Sequence, residues 1–449
     1  MLRKIRITAA AVFFTVITLL LLDFTGTLHA WFGWMAKVQL LPAVLAVNAG
    51  VVAALVLLTL LFGRVYCSVI CPLGVFQDVV SRAAARRRKN FRYSRALSWL
   101  RYGILALFLV ALVAHFKPVS NLLAPYSAYG RIVSNLFAPL YLWGNNLLAY
   151  LAERAGSYAF YTVDVWVKGA ATLAVAAVTF IVLAVLAWRN GRTYCNTVCP
   201  VGTILGLVSR FAVFKPRIDT SKCNGCGLCA RNCKASCIDA KTHRIDYSRC
   251  VACMDCLGKC RQGAISFSRK PAADRKPDAG HKPDAVEPAT LKAAVAAGEP
   301  ADASRRKFLS LVGVMACATV RAQEKKVDGG LAVIEQKKIP RRTTPITPPG
   351  SLAVRNMEAH CTGCQLCVAV CPNQVLRPSG KLMSLMVPEM SYERGYCRPE
   401  CTKCSEVCPT GAIRPITKED KSSVQIGHAV WIAANCVVNT DGVECGNCA

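Results

Sequence analysis

The sequence predicts a bundle of four membrane-spanning α-helices with small cysteine-rich α+β domains attached, and three observations carry that expectation. Apolar residues make up 53% of the 449, and in the first 188 they gather into four runs long enough, or nearly so, to cross about 30 Å of hydrocarbon. The 25 cysteines fall in tight sets rather than singly. One twelve-residue phrase occurs twice, GRVYCSVICPLG at 63–74 and GRTYCNTVCPVG at 191–202, sharing Gly, Arg, Tyr, both Cys, Pro and the last Gly.

The four runs are 7–22, extendable to 26, then 38–62, 97–115 and 169–188. Arg3, Lys4 and Arg6 precede the first, and Arg82, Arg86, Arg87, Arg88, Lys89, Arg92 and Arg95 lie between the second and third, which places both flanks in the cytoplasm of a bacterial inner membrane. The formal charge of +29 therefore reads as membrane orientation and not as a nucleic-acid surface. The segment 116–168 is aromatic and sparsely charged, as expected of an outer loop lying partly in the interface. His29 and His115, near outer span ends, are candidates for quinone or heme contact or for simple packing, as are Tyr126 and Tyr129.

Each copy of the repeated phrase follows an outward-to-inward span, so both are expected at the cytoplasmic membrane face. Cys67 and Cys71, and likewise Cys195 and Cys199, are four apart and share a helix face if the helix continues. Two such pairs present four sulfurs to one centre, which points to a redox or metal-binding element. The bland alternative is a duplicated helix-ending signal with small packed thiols.

Residues 211–270 carry C-x2-C-x2-C-x3-C twice, as Cys223, Cys226, Cys229, Cys233 and as Cys250, Cys253, Cys256, Cys260. In two-cluster ferredoxins, three thiolates come from one run and the fourth from the other. Cys223, Cys226, Cys229 and Cys260 are thus expected to hold one 4Fe-4S cluster, and Cys250, Cys253, Cys256 and Cys233 a second. A zinc site needs four ligands and leaves the eightfold spacing unexplained. Cys237 has no place in this count. These motifs make the attached domains ferredoxin-like.

Residues 271–303 are rich in Ala, Pro, Asp and Lys and read as a linker. At 304–322, Ser304, Arg305, Arg306, Phe308 and Leu309 match the twin-arginine export pattern, and the apolar stretch behind them either stays as a fifth span or is cleaved near Ala322. A second ferredoxin-like domain, 323–449, follows on the periplasmic side. It offers Cys361, Cys364, Cys367 and Cys371, then Cys397, Cys401, Cys404 and Cys408, then Cys436, Cys445 and Cys448, whose fourth partner would lie beyond Ala449.

On these motifs the chain resembles a fusion of NapH (1–270) and NapG (304–449), the membrane and polyferredoxin subunits of the periplasmic nitrate reductase electron-transfer system. The resemblance implies two cytoplasmic and up to four periplasmic 4Fe-4S clusters in a full-length protein. It also implies pairing of the second exported motif with the third, so that Cys408 joins Cys436, Cys445 and Cys448, while the first motif awaits a fourth. Its implied role is a quinol dehydrogenase component, with membrane quinol as donor and a periplasmic reductase or cytochrome c as acceptor. The competing readings are a redox sensor and an assembly or anchor protein without quinol turnover.

Overall fold

In the computed structural model, residues 2–84, 91–269, 344–393, 395–426, 431–440, 442, 444 and 445 are described. The linker, the twin-arginine segment with its candidate fifth span, and Cys448 lie outside them.

Among the described residues, two helices have the length and apolarity to cross a bilayer, α1 (Leu2–Leu22) and α12 (Ala170–Asn190), and the short α2 (Thr27–Phe32) and α3 (Trp34–Lys37) follow α1. The expected second span is not one helix. Val47, with φ of 53°, turns the chain out of α4 (Leu40–Leu45), and the Asn48 side chain accepts from Val51 N to start α5 (Ala49–Phe62). At 1.5 Å per residue α5 is about 21 Å long, and α8 (Ser98–Val113) about 24 Å, both short of a full crossing.

The bundle is built from two like halves. In the first, α5 is followed by α6 (Val65–Val69) and α7 (Pro72–Ala84); in the second, α12 is followed by α13 (Thr193–Thr197) and α14 (Pro200–Val208). Helix α1 packs on α7 and α8 on α14, while α7 also packs on α12 and α14 on α5, so the halves interlock. Phe76, early in α7, meets Phe180 at the middle of α12, and Asp78, half a turn on, pairs with Arg192 just past its end. The repeated phrases are folded back and buried within the bundle.

The expected outer loop forms α9 (Lys117–Leu123), α10 (Pro125–Ile132), a π-helical turn (Val133–Phe137) and α11 (Ala138–Arg154). Its first part, residues 117–135, is largely interior, whereas α11 buries only Ala149 and residues 155–168 are exposed or half-buried. Every residue of α10 is buried, because it fills the space between α7 and α12.

Two cysteine-rich domains sit at opposite ends of the bundle, separated by the roughly 30 Å of α1. At one end, β1 (Lys215–Ile218) pairs antiparallel with β4 (Ile265–Ser268) and closes residues 211–269, with the hairpin of β2 (Ile238–Asp239) and β3 (Arg244–Ile245) between them. The N–H groups of Val213 and Phe214 donate to Leu60 O and Leu61 O, carbonyls that the end of α5 would otherwise leave unpaired. Phe62, Phe214 and Phe267 stack beside this joint. At the other end, the domain of residues 344–426 is bound through Lys117 Nζ to Cys361 O (3.0 Å), Asn121 to Leu385 O (2.9 Å), Ser127 to Gly363 O (3.2 Å) and Lys403 Nζ to Thr25 O (2.7 Å).

Candidate functional site

The shared residues of the two phrases have matching structural jobs. Gly63 and Gly191, with φ of 74° and 70°, turn the chain back into the bundle where an L side chain would be strained. Arg64 and Arg192 are fully buried and cross to the opposite copy. Arg64 donates to Cys195 O at 3.0 Å and to Asn196 Oδ1 at 2.9 Å, while Arg192 donates to Cys67 O at 2.6 Å. Tyr66 donates to Gln39, and Tyr194 donates to Leu123 O at 3.1 Å. Pro72 and Pro200 open the following helices, where the missing N–H costs no hydrogen bond. A Cβ on Gly74 or Gly202 would stand 2.2 Å from the carbonyl of Cys67 or Cys195, so only glycine lets the chain pass.

Cys67, Cys71, Cys195 and Cys199 are all buried and close enough to act electrostatically on one another. N–H groups point at their sulfurs: Gly202 N at 3.3 Å from Cys199, Gln77 Nε2 at 3.3 Å from Cys195, Arg64 at 3.8 Å from Cys67, and Gly74 N toward Cys71. Such donors favour thiolate, but burial outweighs them and pushes the bare Cys71, Cys195 and Cys199 thiols up, so ligation must displace their protons. Charge balance favours an anion here, because Arg6, Arg64, Arg192 and Lys234 are buried against the carboxylates of Asp78 and Asp255. Asp78 pairs with Arg192, Arg6 and Lys234, and among the described residues Arg64 has no carboxylate within salt-bridge distance. A surplus of buried cations is costly unless anions face it, and four thiolates, or a cluster bound by them, provide those anions.

A tetrahedral zinc with Zn–S bonds of about 2.3 Å would draw its thiolates to about 3.8 Å of each other. Among the described residues, no three His, Cys, Asp or Glu side chains converge closely enough to hold a single metal ion. Cys67, Cys71, Cys195 and Cys199, with N–H donors aimed at their sulfurs, are a donor set that could hold an iron–sulfur cluster.

In residues 211–269 the cysteines line two cavities. Cys223, Cys226, Cys229 and Cys260 surround the first; Cys233, Cys250, Cys253 and Cys256 surround the second. Cys237 also lines the second, its Sγ 3.5 Å from that of Cys233. The second cavity faces the four-cysteine centre: Arg64 donates to Ser248 O at 3.1 Å, Asn196 to Ala235 O at 3.2 Å, and Arg192 N to Lys234 O at 2.9 Å. Burial pushes the Asp255 carboxyl up, but Lys234 and Arg3 outweigh it and hold it below the usual carboxylate range.

In the other domain Cys408 stands with Cys361, Cys364 and Cys367, and Cys371 with Cys397, Cys401 and Cys404. This corrects the pairing implied by the resemblance. The two motifs close on each other because the β5 (Leu376–Pro378) and β6 (Pro388–Met390) hairpin folds the chain back between them. Cys436 and Cys445 stand outside both groups. Burial raises the Cys361 thiol to about 11 and those of Cys364 and Cys404 to about 12, so bare thiols keep their protons and ligation must displace them.

Four residues of buried chain join this domain to the central cysteines. Tyr194, beside Cys195, is bonded to Leu123 O; Ser127 is bonded to Gly363 O, beside Cys364; and a Cβ on Gly130 would lie 2.2 Å from Cys364 O. Tyr126 is buried near Cys364, and Tyr129 meets Thr18 Oγ1 at 2.6 Å. His115 is exposed, whereas His29 is held at Nδ1 by Asp23 Oδ2 (3.2 Å), with its buried Nε2 unpartnered among the described residues. The roles of Arg64, Arg192, Gln77 and Asp78 were not anticipated, although the matching Arg of the two phrases was the available signal.

A family model described as a 4Fe-4S binding domain matches residues 45–92 and 172–219, covering both phrases, and one described as a 4Fe-4S dicluster domain matches 360–412. The chain is 31% identical over 126 residues to the methylamine utilization ferredoxin-type protein MauM of Methylobacillus flagellatus, covering 26% of this chain and 51% of that protein. It is 27% identical over 203 residues to the putative electron transport protein YccM of Escherichia coli, covering 43% and 47%. To MauN of Paracoccus denitrificans it is 27% identical over 180 residues, covering 38% and 48%. It spans about half the length of each of these relatives. No solved structure matches. The chain is thus homologous to ferredoxin-type electron-transport proteins bearing 4Fe-4S domains.

Proposed function

We propose that the chain is an iron–sulfur relay of a bacterial inner membrane, carrying electrons from membrane quinol to a periplasmic terminal reductase or cytochrome c. The observation that carries this reading is the four-cysteine centre, tied by buried hydrogen bonds to a cysteine-lined domain at each end of the bundle. The ferredoxin-type names of the relatives agree with it.

Cys223, Cys226, Cys229 and Cys260 would hold one cluster, and Cys233, Cys250, Cys253 and Cys256 another. Cys361, Cys364, Cys367 and Cys408 would hold a third, Cys371, Cys397, Cys401 and Cys404 a fourth, and Cys67, Cys71, Cys195 and Cys199 a fifth. A 4Fe-4S cluster supplies one-electron storage without making or breaking a bond. Arg64 and Arg192 fix the two central Cys carbonyls and neutralise thiolate charge, and α10 excludes water between the centre and the outer domain. A quinol releases two protons with its two electrons, so the donor site needs a base. Asp23 accepts from Nδ1–H of His29 and fixes the tautomer that leaves Nε2 free to take a proton.

The test is anaerobic mixing of the full-length protein in liposomes with a reduced quinol analogue, followed by addition of an oxidised periplasmic cytochrome c. Bleaching of iron–sulfur absorbance and its recovery on cytochrome addition are expected. Clusters that bleach with dithionite but never with quinol would overturn the reading.

A further inference from the structure

We infer that the face of the ferredoxin-like domain around Cys226 is a docking port for a small acidic one-electron carrier, a soluble ferredoxin. The inference rests on the reading that residues 211–269 hold two clusters.

The domain is seated on the bundle through its second cavity. Arg192, Asn196, Arg64 and Arg101 all bond to carbonyls of Lys234, Ala235 or Ser248, which flank Cys233 and Cys250. Among the described residues, none lining the first cavity is hydrogen-bonded to a bundle helix, and Cys226 at its edge is exposed. The cysteines nearest solvent are therefore those farthest along the chain of centres from the bundle. Tunnelling falls steeply with distance, so an exposed cluster edge is where a carrier can exchange electrons.

Charge is sorted in the same direction. Asp255 is buried against Lys234 and Arg3, and Asp246 is held by Ser248 and Arg249. Asp219 and Asp239, hydrogen-bonded in local turns to Ser221 and to Lys241 and Thr242, are carboxylates beside the first cavity, where five basic residues outnumber them. Lys222, Arg231, Lys241, Arg244 and Arg261 are exposed around the first cavity, and Arg231 donates to Cys226 O at 2.7 Å. A basic rim around an exposed redox edge attracts an acidic partner and speeds its encounter. The rim lies away from the domain's seat on the bundle, which selects a soluble protein over lipid.

The step is balanced by electrons alone. One electron leaves the reduced carrier and enters the cluster held by Cys223, Cys226, Cys229 and Cys260, and no proton or group moves with it.

The test uses the full chain in detergent, mixed anaerobically in a stopped-flow instrument with an acidic two-iron ferredoxin reduced by dithionite and freed of excess reductant. The bimolecular rate is expected to fall by about tenfold or more from low to high ionic strength, and by a similar factor in the triple variant Lys222→Glu, Lys241→Glu, Arg244→Glu. Iron and sulfide content should be equal in the two proteins. Wild-type protein without iron and sulfide would overturn the cluster reading and the port with it. Full cluster content with a rate insensitive to both salt and charge reversal would overturn the port alone.

Discussion

Arg64 of the first phrase donates to the Cys195 carbonyl of the second at 3.0 Å. The reciprocal bond, Arg192 to Cys67 O at 2.6 Å, makes the two phrases hold each other rather than stand alone. A motif whose copies depend on one another is preserved in both or lost in both. That answers why a phrase of twelve residues recurs within an apolar half of the chain.

Removing either arginine should therefore damage both copies. Arg192→Ala removes the shortest of Asp78's three ion pairs and the donor to Cys67 O, and Arg64→Ala leaves Cys195 O and Asn196 Oδ1 short of a donor, each a buried loss of about 1–3 kcal/mol. Limited proteolysis should show residues 211–269 released from the bundle in both variants. Lys at either position should rescue only in part, since one ammonium does not reproduce the fork of the guanidinium. A fully attached domain in Arg64→Ala would refute the cross-bracing.

Gly74→Ala and Gly202→Ala should be equally harmful, because each new Cβ would stand 2.2 Å from a Cys carbonyl. Overpacking of this kind costs about 1–3 kcal/mol. Matching losses of thermal stability in detergent are expected; a wild-type melting curve for either would contradict the geometry.

The grouping of Cys408 with Cys361, Cys364 and Cys367 separates two accounts of the outer domain. Cys408→Ser should lower bound iron by about four per chain if that thiolate completes a cluster with them. Cys436→Ser should leave iron unchanged. Equal losses in both would restore the pairing implied by the resemblance.

These groupings show what a sequence discloses. The spacing within 211–270 led to the same two sets of four that line the two cavities, because ligand geometry is local and written in short intervals. The bracing of Arg64 against Cys195 joins positions 131 apart, which no periodicity reports. The break at Val47 and Asn48 was hidden because an apolar run is blind to a single left-handed residue. The segment from Lys117 to Phe137 reads as an interfacial loop because the partners of its sparse charges follow no local pattern: Lys117 donates to Ala359 O and Cys361 O, and Arg131 to Asn121 O and Thr179 Oγ1. Pairing in the outer domain went astray where the resemblance replaced the local hairpin as the guide.

His29→Gln should slow quinol oxidation by about 100-fold or more if Nε2 is the proton acceptor, while dithionite still reduces the clusters at the wild-type rate. Asp23→Asn should also slow it, because the carboxylate that accepts from Nδ1–H and selects the tautomer is gone. An unchanged quinol rate in His29→Gln would remove the dyad from the donor site.

The sharpest division lies at the four central cysteines. Changing Cys67 and Cys195 to Ser removes one thiol from each copy while keeping its size, and leaves the Arg64 and Arg192 bonds to the backbone carbonyls in place. Helix packing and both end domains should therefore persist, with iron reduced by about four per chain. If the centre is a station between the ends, dithionite confined to the cytoplasmic side of sealed liposomes should reduce the clusters of residues 211–269 in wild type and variant alike. It should reduce those of residues 360–412 in the wild type only. If the cysteines merely pack, the variant should pass electrons to the outer domain as fast as the wild type and lose no iron. Cys237→Ser is the matched control, since that thiol touches Cys233 in the second cavity but belongs to neither phrase. It should keep both the iron content and the passage of electrons from end to end.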